Sequence, residues 1–82
     1  MGSVLGFPGI DPHDAAIGAR LKHWREQRGV DIDAVAAALK ITPEKERRAE
    51  AGRAHLTALQ IAAATRTLRL PMWALVSDSP AY

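Results

Sequence analysis

Helix punctuation constrains this chain more than any other feature. Asp11-Pro12, Asp31, Thr42-Pro43 and Thr57 each place a capping side chain ahead of a new run, and Gly29, Gly52 and Leu70-Pro71 close runs. A cap oxygen accepts from amides that the first helical turn leaves unpaired, and a proline at the first position gives up an N–H that had no partner there. The expected first helix covers about 12 to 28, with Ile17, Leu21 and Trp24 at helical spacing, Asp14 opposing the positive dipole end and Gly29 as a left-handed C-cap. A short second helix follows Asp31 with Ile32, Val35, Ala36 and Leu39 as its stripe and stops near Lys40-Ile41. Helix three, 43 to 51, is nearly all charged. Helix four starts at Thr57, with Leu59, Ile61, Ala62, Thr65 and Leu68 as its apolar surface. Beyond the Pro71 break, Met72, Trp73, Leu75 and Val76 form a last turn or short helix.

These elements make an all-α five-helix bundle, and 82 residues supply one hydrophobic core. Aromatic residues are only 5% of the chain, so alanine-lined helices are expected to approach closely around a few large anchors such as Trp24 and Trp73. The absence of cysteine removes disulfides, thiolate nucleophiles and cysteine zinc sites, which leaves packing, alone or with a partner subunit, to stabilise the fold. Residues 1–10, with three glycines, one proline and no charge, are expected to form a flexible arm; the helical domain spans 11–77, and 78–82 fray. No apolar run is long enough to span a bilayer, and the N-terminus lacks the features of a signal peptide or myristoylation site, so a cytoplasmic location without membrane contact is expected. Eleven Lys and Arg against nine Asp and Glu give a net charge of +2, too small a surplus to establish nucleic-acid binding alone.

Helices two and three, joined by about three residues with the second polar and exposed, have the layout of a helix-turn-helix unit, in which one helix braces and the other enters the major groove. Ile17-Gly18-Ala19-Arg20-Leu21, Arg25-Glu26-Gln27-Arg28-Gly29-Val30, Val35-Ala36, Leu39, Ile41-Thr42, Glu50-Ala51-Gly52-Arg53, Leu68 and Leu70-Pro71 carry a fuller resemblance. Over about Ile17 to Val76 the chain resembles the Cro and phage-repressor helix-turn-helix (XRE) family. That resemblance implies a lambda-repressor-like bundle, binding operator DNA as a symmetric homodimer and regulating transcription, most often as a repressor, in the cytoplasm and on the nucleoid when DNA-bound.

The resemblance points the front of helix three, Pro43, Glu44, Lys45, Arg47 and Arg48, at base edges. Arg47 or Arg48 would contact guanine O6 and N7, and Glu44 would accept from cytosine N4. Thr42 and Lys40 flank that helix in the turn, and Lys40 stands where the family usually has a glycine. Its left-handed conformation would cost of order 1 kcal/mol. Its ammonium would partly replace the phosphate anchor that the family has at the start of helix two, where this chain carries Ile32 in place of a polar residue. Arg53 and His55 follow in a loop expected beside the phosphates. The resemblance also pairs Glu50 with Arg25. The alternative for this segment is a solvated face of Glu44, Lys45, Glu46, Arg47, Arg48 and Glu50 with weak internal ion pairs.

Glu46 and Ala49 occupy positions that the family fills with large apolar side chains. Either Glu46 reaches solvent or an arginine, or helix three is loosely held and orders on binding. Arg20, Lys22 and Arg28 are expected to be ordinary solvated residues. His13, His23 and His55 share no metal-ligand spacing, so no metal or cofactor is expected. No nucleophile, carboxylate pair or phosphate-cradling loop suggests an enzyme. Trp73 with Met72, Leu75 and Val76 either closes the core or forms a dimer seam, with Leu5, Phe7 or Ile10 as possible additions. With no sensor domain in view, control is expected through abundance or through a protein antagonist or co-regulator. The competing function is a helix-turn-helix domain reused as an antitoxin-like or adaptor protein, in which the acidic residues of helix three repel DNA.

Overall fold

The computed structural model describes residues 11–76; the arm and tail expected at 1–10 and 78–82 lie outside them, as do Leu5, Phe7 and Ile10. Five helices follow in order: α1 (Pro12–Gln27), α2 (Ile32–Leu39), α3 (Pro43–Glu50), α4 (Ala58–Leu68) and α5 (Trp73–Val76). The chain is all-α over the described residues.

Each helix of eight residues or more begins at the cap the sequence marks. The Asp11 side chain accepts from the His13 amide and Asp31 from that of Asp33. Thr42 accepts from Lys45 N at 3.0 Å. Thr57 and Gln60 exchange hydrogen bonds in a capping box, each satisfying the other's backbone N–H. These partners are two or three residues apart, so the starts of the helices depend on local chemistry.

α1 lies against α3, α4 and α5, and α2 lies between α3 and α4. Leu21, Val35, Leu68 and Leu75 are fully enclosed, with Ile17, Leu39, Leu56 and Ile61 around them. At the α1–α3 crossing Gly18 has no side chain to interpose, and Ala49 carries only a methyl group. A Cβ on Gly18 would overlap the Ala49 carbonyl oxygen. A second close approach lies at Gly52 (φ +80°), where a Cβ would sit 2.8 Å from the Ala15 Cα. Small residues at both points seat α3 directly on the α1 backbone.

Four expectations need correction. Trp73 is 57% exposed and anchors no core; Ala74 and Leu75 are the buried residues of α5. Leu59, expected on the apolar side of α4, is 82% exposed, because Ile61, Ala64, Thr65 and Leu68 define its inner face. Arg28 is not simply solvated: its guanidinium lies 5.1 Å from the Trp24 ring and its Nε donates to Leu68 O at 2.9 Å. Arg20 likewise donates from Nη1 to Leu75 O at 3.1 Å, tying α1 to α5.

Lys40 adopts φ 60° and ψ 43°, the left-handed conformation expected of it. Arg69 does the same at the end of α4 (φ 61°), a position that carries no glycine signal in the sequence. Lys40→Gly should therefore raise stability by about 1 kcal/mol through relief of the Cβ–carbonyl contact. Urea denaturation of the two proteins checks this, and an unchanged or lower midpoint would remove strain as a feature of the turn.

Candidate nucleic-acid interface

α2, the three-residue turn Lys40-Ile41-Thr42, and α3 form one unit. The turn is closed by Lys40 N to Ala37 O (3.1 Å) and Ile41 N to Ala36 O (3.0 Å), a left-handed helix end that redirects the chain into the Thr42 cap. Pro43 then occupies the first position of α3.

α3 divides its charges by helical spacing. Glu46, Ala49 and Glu50, at i, i+3 and i+4, are buried. Pro43, Glu44, Arg47 and Arg48 are exposed and Lys45 is half-buried. The solvated-face alternative thus fails for Glu46 and Glu50, which point inward. Over residues 42–53 the four cations Lys45, Arg47, Arg48 and Arg53 meet Glu44 as the one exposed carboxylate, because the other two acids are enclosed. The outward side is markedly basic although the segment as a whole is nearly balanced. Exposed Arg53 extends this side past Gly52, with its backbone N–H bonded to Arg48 O at 2.8 Å. Lys40 and Thr42 are also exposed at the leading end. His55 is exposed as well, but its Nδ1 lies 2.9 Å from Asp14 Oδ1 of α1, a partner that sequence reasoning did not find.

Behind this surface is a buried polar cluster. Arg25 donates from Nε to Glu50 Oε2 (2.7 Å) and from Nη2 to Glu50 Oε1 (3.1 Å), the two-pronged geometry in which guanidinium and carboxylate match best. Its Nη1 also donates to Val30 O (3.2 Å), so one side chain joins α1, α3 and the α1–α2 loop. The Glu50 hydrogen bond raises the Arg25 pKa further, against the opposing effect of burial. Glu46 sits beside this pair at 0% exposure and neither of its oxygens meets a donor. The expectation that it reaches solvent or an arginine is overturned, since α3 holds it against α1. Burial pushes its carboxyl up to about 8, aided by a hydrogen bond to Glu50 and by the Glu50 charge and opposed by Arg25. Two ionised carboxylates share no donor; a proton on Glu46 provides one.

A shallow cleft of about 310 Å³ between the ends of α1 and α4 has none of its lining from α3. Among the described residues no cluster of three or more His, Cys, Asp or Glu could hold a metal, and no helix is long and apolar enough to cross a membrane.

A brace helix, a tight turn and an outward basic helix make up a helix-turn-helix unit of the DNA-binding kind. The helix-turn-helix domain family matches residues 16–72, from α1 to the residue before α5, and the chain belongs to that family. Among curated proteins and solved structures none matches the chain.

Proposed function

We propose that the chain is a sequence-specific transcriptional regulator of the Cro and phage-repressor (XRE) type, a repressor that reads operator DNA with α3 in the major groove as a homodimer. The observation that carries this reading is the split of α3: two of its three acids are buried, leaving Arg47 and Arg48 exposed beside Glu44. Arg47 and Arg48 have the donor geometry for guanine, and Glu44 accepts from cytosine. Lys40, Thr42, Lys45 and Arg53 are the backbone-contact candidates, and His55 joins them only by giving up Asp14. Exposed Met72, Trp73 and Val76 on and beside α5 supply apolar area for a dimer seam, while Leu75 stays in the core. The adaptor or antitoxin-like reading rests on Glu44, Glu46 and the missing polar anchor at Ile32; the burial of Glu46 takes away one of these, while Ile32 and the exposed Glu44 stand.

Selection from a randomised duplex library at about 150 mM salt, near physiological ionic strength, tests the proposal. Enrichment of a palindrome supports a dimeric operator reader; the absence of any enriched sequence, with binding that vanishes as salt rises, overturns it and directs attention to protein partners. On an enriched site, Arg48→Ala should weaken specific binding by about 1 to 3 kcal/mol and relax preference at one position. Arg53→Ala should weaken all duplexes alike and lower the salt slope by about 1. Titrations of both variants on matched and scrambled duplexes separate the two roles.

A further inference from the structure

The face of α3 that meets α1 encloses a carboxyl group that the exposed basic side does not use. Glu46 is fully enclosed, meets no donor and lies on that face next to the Arg25–Glu50 pair. A core would ordinarily place an apolar side chain there, because an unpaired buried carboxylate is among the costliest groups a fold can enclose. The charged groups around it are few. α1 contributes Arg25, and α3 contributes Glu50. α2 turns Val35, Ala36 and Leu39 inward while Asp31, Asp33 and Lys40 stay exposed; on α1, Lys22, His23 and Glu26 are also exposed. Arg25 is already engaged at both Glu50 oxygens and at Val30 O, leaving Glu46 without a donor of its own.

We propose that Glu46 is a proton-controlled latch for the recognition helix: protonated, it donates to Glu50 and holds α3 on α1, and its ionisation favours release of α3 from that seat. The consequence for DNA rests on the reading proposed above; the latch is a property of the free protein. The sign follows from linkage. The seated helix holds its proton up to about pH 8, whereas a released Glu46 returns to the ordinary value of 4.5. The seated form therefore binds more protons across that window, and each pH unit between about 5 and 8 multiplies the opening constant by up to about tenfold, after which the dependence flattens. Acid tightens α3 and alkali loosens it.

Amide hydrogen exchange on the free protein, read as protection factors from pH 5.5 to 9, tests the latch. Protection of the residue 47–50 amides should fall at least about 100-fold between pH 5.5 and 8 and then level off. It should also lie at least tenfold below that of Ala64 and Leu68 in α4, marking an opening short of global unfolding. Glu46→Gln keeps the shape without the titration and should give a flat α3 profile, and Glu46→Leu should do the same. A slope that survives in both variants, or α3 and α4 protection that coincide at every pH, overturns the latch. Affinity for an enriched duplex at pH 6 and 8.5 forms a separate arm: wild type should lose affinity at the higher pH more than Glu46→Gln does. A latch in free protein that binds no sequence sinks only the DNA reading, and sequence-specific binding with flat exchange sinks only the latch.

Discussion

Arg25→Met is expected to cost about 3 to 5 kcal/mol at neutral pH, the range for removing one partner of a buried ion pair. Arg25 and Glu50 side chains are 14% and 5% exposed, so water makes up for little of the missing pairing. The substitution removes two hydrogen bonds to Glu50 and one to Val30 O, and with them a link among α1, α3 and the loop before α2. It also leaves the Glu50 carboxylate buried beside Glu46 with no cation to pair with. Urea denaturation at pH 8 should accordingly show a much lower midpoint for the variant than for wild type. Arg25→Met with Glu50→Leu replaces the pair by apolar groups and should recover most of the deficit, since such exchanges are often neutral or better. A single variant as stable as wild type at pH 8 would show that the pair holds nothing together; a double variant no better than the single would trace the deficit to packing and not to an abandoned carboxylate.

Much of the fold is legible because its decisive contacts are local. Asp11, Asp31, Thr42 and Thr57 cap through partners two or three residues away, and Gly29 and Gly52 take the left-handed conformation where runs end. The direction of α3 is harder to see. Its sequence of alternating acids and bases suits a solvated face, and only the identity of its neighbours decides that Glu46 and Glu50 turn inward. Gly18, 31 residues before Ala49 by their numbers, makes room for that close approach, and no periodicity within either helix announces it. Resemblance to a family supplies the Arg25–Glu50 pair, but Arg20 and Arg28 also donate to backbone carbonyls at Leu75 and Leu68, contacts that have no signature in side-chain type. Trp73 and Leu59 fail as core residues for a related reason. Hydrophobicity marks what gains from burial, whereas the reach of neighbouring helices decides which of those residues are covered. The outward basic surface of α3 was legible residue by residue; its charge balance was not, because that depends on which acids the core withdraws.

Gly18→Ala should destabilise the protein by about 2 to 3 kcal/mol, although alanine is the better helix former by about 1 kcal/mol. At an open helical site that preference would raise stability. Here the new methyl group would overlap the Ala49 carbonyl oxygen and lie 2.9 Å from Glu50 O and 3.0 Å from Glu50 C. All three are backbone atoms of the last turn of α3, so no side chain can swing away and the helix must move. That displacement stretches the Arg25–Glu50 pair and lifts Gly52 from Ala15, and it redirects the exposed Arg47 and Arg48 together. Thermal denaturation should show a fall of about 10 to 20 °C, given about 4 to 8 °C per kcal/mol in a domain this small. Gly29→Ala is the control: nothing lies within 4 Å of its Cβ position, and its φ of +66° leaves only left-handed strain, about 1 kcal/mol. If Gly18→Ala melts no lower than Gly29→Ala, the direct seating of α3 on α1 is not what fixes α3. If it melts lower and also loses affinity for an enriched duplex while retaining helix content at 25 °C, the crossing at Gly18 sets the pose of α3 that the proposed DNA reading requires.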